Sequence, residues 1–147
     1  MAKFIFNMQN ILNIKGQFEE QAKMDFAHAR VRLDEEEARL AALYARKQDY
    51  IEEGRKLRET KLHVRDIIDN KNAIITIDGY IDIQRLQVKK AEDNLELMRA
   101  KLNEAIKERK IYERLREKAF EEFALEENAR EAREVDELTS YKHAVAN

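Results

Sequence analysis

The chain has 147 residues, 39% of them charged, with three Gly and no Pro, Cys or Trp. Its net charge of −2 gives no overall attraction to nucleic acid, and the lack of Cys excludes disulfides and thiolate metal sites. No apolar run approaches the roughly 20 residues of a membrane-spanning helix, and a composition this poor in turn residues and rich in charge points to long helices and coiled coil.

The first residues carry a small apolar cluster, Phe4, Ile5, Phe6 and Met8. It reads as a lead-in packed on a neighbouring helix, or as an apolar end offered to a partner. The opening is too short and too quickly polar for a secretory signal, so a cytoplasmic protein is expected.

From Leu12 the apolar residues recur in sevens. One row runs Leu12, Glu19, Phe26, Leu33, Leu40, Lys47, Gly54, Lys61 and Ile68. The other runs Lys15, Ala22, Ala29, Glu36, Leu43, Tyr50, Leu57 and Val64. This predicts a first helix over about 12–66, with polar interruptions in its seam. Asp69-Asn70-Lys71-Asn72 is the strongest turn candidate, because Asn and Asp side chains accept turn conformations and cap helix N-termini. The turn is therefore placed at about 67–72.

The second helix is predicted over about 72–138. Ile74, Ile81, Val88, Leu95 and Leu102 form one row; Ile77, Gln84, Ala91, Met98 and Ala105 form the other. Charged residues flank a narrow apolar stripe, which buries a seam against another helix. Apolar residues do not alternate with period two, so a strand reading fails. The expected fold is all-α: an elongated antiparallel two-helix coiled coil, one domain over 1–147. A turn near residue 70 would set Leu57 opposite Gln84, Tyr50 opposite Ala91, Leu43 opposite Met98, Ala29 opposite Tyr112 and Phe26 opposite Leu115. It would also bring the acidic block 34–37 near Lys107, Arg109 and Lys110. Beyond Phe123 the second helix has only the chain's start to pair with. Both termini should then share one end, with an acidic overhang carrying Val135, Leu138 and Tyr141.

Nothing in this pattern carries catalysis. A two-helix rod offers no pocket of useful size. The glycines stand alone, without a phosphate-binding loop. His28, His63 and His143 are too far apart for a shared metal. The Asp69 stretch fails as a calcium loop, with Ile74 where Gly is needed and Tyr80 where Glu is needed. The basic stretch from Lys107 to Lys118 is broken by Glu108, Glu113 and Glu117 and lacks an aromatic platform for nucleic acid. No enzyme activity, catalytic residue, cofactor, metal or nucleic-acid partner is expected.

Three stretches carry a family resemblance: Phe4 to Leu12 followed by Glu19-Glu20-Gln21-Ala22-Lys23, Leu40 to Tyr44 through Tyr50, and Glu127-Asn128 through Glu134-Val135-Asp136-Glu137-Leu138. Over nearly its whole length the chain resembles the flagellar export protein FliJ family. The resemblance implies an antiparallel coiled coil similar to the central stalk of rotary ATPases. It implies a soluble, non-enzymatic component of the flagellar type III export apparatus, at the cytoplasmic face of the inner membrane. Its implied partners are the export ATPase hexamer, the membrane export gate protein FlhA, and export chaperones. The ATPase contact would fall at the end bearing both termini, with Phe4, Phe6, Val135, Asp136, Glu137 and Leu138. By position the gate contact would fall on Leu43, Tyr50 and Tyr80. Leu43 and Tyr50 also sit in the predicted seam, where they read as core, while Tyr80 flanks it. Two other readings stay open: a stalk or scaffold coiled coil of another secretion system or rotary ATPase, and a homodimerising helical scaffold.

Overall fold

The computed structural model describes residues 2–60 and 63–146. Without proline to remove a backbone donor, heptad periodicity carries through two helices: α1, Gln9–Glu59, and α2, Val64–Ala146. They form an antiparallel hairpin: Asn70 of α2 meets Tyr50 of α1, while Gln84, further along α2, meets the earlier Glu36. The described residues contain no strand.

The helix ends have local causes. The amide of Gln9 donates to the Phe6 carbonyl and that of Leu12 to the Met8 carbonyl, each at 3.0 Å, which opens α1. Lys56 and Arg58 lie in its last turn and Asp66 in the first turn of α2. These are the signs that the helix dipoles favour. The Thr60 hydroxyl donates to the Lys56 carbonyl at 3.3 Å, satisfying an acceptor with no intrahelical partner.

The turn is not where its composition suggested. Residues 67–72 lie inside α2, and the interruption falls between Glu59 and Val64. Helix one is therefore shorter than expected at its C-terminal end and helix two longer at both ends. Val64 and Ile68 belong to α2 and are exposed, and Lys61 lies outside the described residues. The physical reason is the seam itself. One heptad back from Ile74 and Ile77 stand Ile67 and Asn70, both half-buried, so the α2 stripe continues through the Asp-Asn-Lys-Asn cluster.

Moving the turn moves every facing pair. Gln84 meets Glu36, not Leu57. Ala91 clusters with Ala29, Leu33 and Leu95, not Tyr50, and Met98 packs on that cluster rather than on Leu43. Arg109 pairs with Glu19, not with the 34–37 block. The assignment of residues to the seam survives the shift. Every slot from Leu12 to Leu57 in α1 and from Ile74 to Ala105 in α2 is buried or half-buried.

Contacts gather into two units, Ala22–Leu102 and Met1–Gln21 with Asn103–Asn147. In the first, Ala29, Leu33, Ala91 and Leu95 form the core, with Phe26, Val88 and Met98 packed on it. The polar slots of α1 are answered across the seam. The side-chain amide of Gln84 donates to the Glu36 carbonyl at 2.9 Å and to its carboxylate. Arg32 and Arg39 also bridge that carboxylate, at 3.0 and 3.1 Å. Lys47 meets Asp78 at 2.7 Å. Asn70 donates to the Tyr50 carbonyl at 2.8 Å and fills the space left by Gly54, where a Cβ would overlap its Oδ1 and lie 3.2 Å from its Cγ. Among the described residues no buried side-chain polar atom lacks a partner, which is what lets polar groups occupy a seam.

In the second unit, Phe4 packs edge-on to Phe120 at 5.2 Å between centroids and against Phe123 at 5.5 Å. Phe6 is buried. Arg109 bridges Glu19, and Lys15 meets Glu108 at 2.6 Å. That hydrogen bond chiefly holds the Lys15 ammonium above its ordinary pKa, against the opposing pull of burial. Both ends of the chain belong to this unit.

Candidate partner-binding surfaces

Two surfaces stand out, one in each unit. In the unit of Ala22–Leu102, Arg39, Leu43 and Arg46 of α1 and Tyr80 and Ile83 of α2 line one open groove of about 400 Å³. Helical spacing puts Arg39, Leu43 and Arg46 on one face. Leu43 is half-buried, Tyr80 is 56% exposed and Ile83 58% exposed. The floor is thus apolar and reachable from solvent. Tyr50, expected beside them, is half-buried and does not line this groove; the Arg46 guanidinium lies 6.0 Å from its ring centroid. So the structure joins Leu43 and Tyr80 and gives Tyr50 a supporting place under Arg46.

Sequence reasoning missed Ile83 and a second apolar stripe on α2. Val64, Ile68, Ile75, Ile83 and Leu86 are all more than half exposed. At 3.6 residues per turn Val64, Ile68, Ile75 and Leu86 share the face away from the seam, and Ile83 stands at its edge beside the groove. The spacing of three, four, seven and eight residues was the available signal, but the stronger heptad beside it masked the second one.

In the other unit, residues 128–146 are helical and exposed throughout. Val135, Leu138 and Tyr141 project from this stretch, each at least 60% exposed, and Asp136 and Glu137 are exposed beside them. Glu134, Glu137, Leu138 and Tyr141 line a shallow hollow. Phe4 and Phe6 do not join this surface as free anchors. Phe6 is buried, and Phe4 is spent on Phe120 and Phe123 with the Arg116 guanidinium 5.5 Å from its ring. Phe120 itself is 51% exposed, so the aromatic cluster still presents an outer edge.

Among the described residues no group of three or more His, Asp or Glu is placed to hold a metal. No helix of the described residues is long and apolar enough to cross a membrane. What both surfaces offer is apolar area rimmed by charge, the anatomy of a protein interface.

Comparison with known proteins bears on the fold and the family. No curated protein matches the chain. A solved structure described as a YscO homologue from Chlamydia trachomatis superposes with a TM-score of 0.62 at 21% identity, covering 97% of each chain, and so shares the fold. Residues 4–147 match the family described as flagellar FliJ protein. The match takes in the aromatic N-terminal lead-in, the whole heptad seam and the exposed acidic tail together, and on that basis the chain belongs to the FliJ family.

Proposed function

We propose that the chain is a non-enzymatic, stalk-like coiled-coil component of the flagellar type III export apparatus. It binds the hexameric export ATPase through the unit bearing both termini. It binds the membrane export gate through the groove of Leu43 and Tyr80. Working between them, it assists delivery of chaperones and their cargo at the cytoplasmic face of the inner membrane.

The observation that carries this reading is the unpaired helical tail, within a chain that matches the family from residue 4 to its end. An isolated amphipathic helix gains little from exposing Val135, Leu138 and Tyr141 to water. Docked on a partner, those side chains supply the desolvation, while the carboxylates of Glu134, Asp136 and Glu137 steer the encounter. The groove in the other unit is a separate surface built from residues remote in sequence from the tail, as two different partners require.

Two variants test it. Removing the residues after Glu126 should abolish ATPase binding and leave gate binding intact. Tyr80→Ala should do the reverse. Both are measured by calorimetry against each purified partner. A truncated chain that binds the ATPase as well as the whole chain refutes the assignment of the tail, and unimpaired gate binding by Tyr80→Ala refutes that of the groove.

A further inference from the structure

The groove's charge says more than its shape. Arg39 and Arg46 are seven residues apart on α1, two helical turns and about 10 Å along the axis. Leu43 lies between them, and Tyr80 and Ile83 close the far wall. Glu36 is engaged by Arg32, Arg39 and Gln84, and Asp78 by Lys47. Arg46 makes no ion pair among the described residues. Of the Arg39 nitrogens only Nη1 is engaged by Glu36, and the side chain is 62% exposed. The groove therefore presents guanidinium donors at both ends of an apolar floor. Guanidinium pairs with carboxylate in a fixed fork, which gives such a site directional selectivity.

We infer that the groove takes an amphipathic helix of another protein, carrying two carboxylates seven residues apart that bracket two adjacent apolar residues at the third and fourth positions between them. Carboxylates at that spacing stand two turns apart on one face, matching Arg39 and Arg46, and the apolar pair between them reaches Leu43, Tyr80 and Ile83. The pattern reads the same in both chain directions, so the groove accepts either polarity. A second copy of this chain is not the occupant. Of its acidic pairs at that spacing, Glu52 with Glu59, Glu59 with Asp66 and Glu127 with Glu134, none has apolar residues at both inner positions. This inference rests on reading the groove as a docking surface, and it adds the chemistry of what docks there.

The test uses the whole chain and three fluorescein-labelled, alanine-based helical peptides. They share a Leu-Leu centre and differ only in Glu, Gln or Lys at the two outer positions. Fluorescence anisotropy should show the Glu peptide binding about tenfold tighter than the Gln peptide and the Lys peptide weakest, with the preference fading as salt rises. Arg46→Glu, which disturbs no ion pair, leaves one guanidinium and one carboxylate at the two ends and should abolish the preference between the Glu and Lys peptides while circular dichroism shows the helices unchanged. Tyr80→Ala should weaken all three alike. Equal affinity for the three peptides, absence of binding, or an order unaltered by Arg46→Glu overturns the inference. The export gate supplies the separate arm. Gate binding that is lost with Tyr80→Ala but indifferent to Arg46→Glu keeps the groove as the gate's site and removes the acidic helix. Binding of the Glu peptide without any binding of the gate does the opposite.

Discussion

Gly54 and Asn70 form a notch and its filling, and breaking either one separates packing from helix propensity. In an exposed helix Gly54→Ala would stabilise by about 1 kcal/mol, because alanine loses less backbone entropy. Here the new Cβ would overlap Asn70 Oδ1. Asn70 must swing out and surrender its 2.8 Å hydrogen bond to the Tyr50 carbonyl. That bond contributes about 0.5–1.5 kcal/mol, and overpacking a seam costs about 1–3 kcal/mol. Set against the propensity gain, Gly54→Ala should destabilise by about 1–2 kcal/mol. Asn70→Ala loses the same hydrogen bond without the overlap and recovers some helix propensity, so it should lie within about 1 kcal/mol of the parent. The double variant has no clash to relieve. It should recover at least the loss of Gly54→Ala, a coupling on the order of 1–3 kcal/mol. Urea unfolding followed by circular dichroism at 222 nm measures all four chains. The notch would have no energetic content if Gly54→Ala proved more stable than the parent, or if the two single changes simply added. Because the chain has no Cys, paired Cys substitutions at Leu33 and Ala91 can then report register. Oxidative cross-linking should be efficient in the parent and poorer in the double variant if the notch is what holds the pairing in place.

Three further outcomes follow from the packing. Gln84→Ala strips a donor from the buried Glu36 carboxylate and should cost about 1–3 kcal/mol, whereas Glu36→Leu with Gln84→Leu should be at least as stable as the parent in the same urea assay. Leu43→Ala should cost less than the ~2–5 kcal/mol of a fully buried leucine, since Leu43 is half-buried, yet it should impair gate binding; a full-sized stability loss with binding intact would return Leu43 to the core. Phe4→Ala should lose the ring contacts with Phe120 and Phe123, worth about 0.5–1.5 kcal/mol each beyond burial, and should make the N-terminal lead-in more open to limited proteolysis.

What the sequence determined by itself is the face each residue presents. A heptad is a local property: seven residues advance almost two turns, so a residue's membership of the seam follows from its neighbours along the same helix. That is why Leu12 through Leu57 and Ile74 through Ala105 fall where the spacing put them, polar members included. The all-α fold and the antiparallel pairing follow from the same pattern together with a composition short of turn residues. The exposure of Tyr80 was legible for the same reason, and that of Val135 and Leu138 because the second helix outruns its partner.

Only the tertiary structure decided which residues face each other. Any turn that keeps the heptads in phase buries the same stripe, so the pattern is nearly indifferent to sliding one helix along the other. The Asp-Asn-Lys-Asn cluster looked like the turn because its side chains suit one. Asn70 instead belongs to the seam, since its amide finds Gly54's empty space and the Tyr50 carbonyl on the opposite helix. The polar interruptions that made α1 look irregular are the discriminating contacts. Glu36 with Gln84, Lys47 with Asp78 and Glu19 with Arg109 each pair in one register and lose their partners in others. The groove depended on that choice as well. Leu43 and Tyr80 are far apart in sequence, and they line one surface only because the helices meet in the register that those polar pairs select.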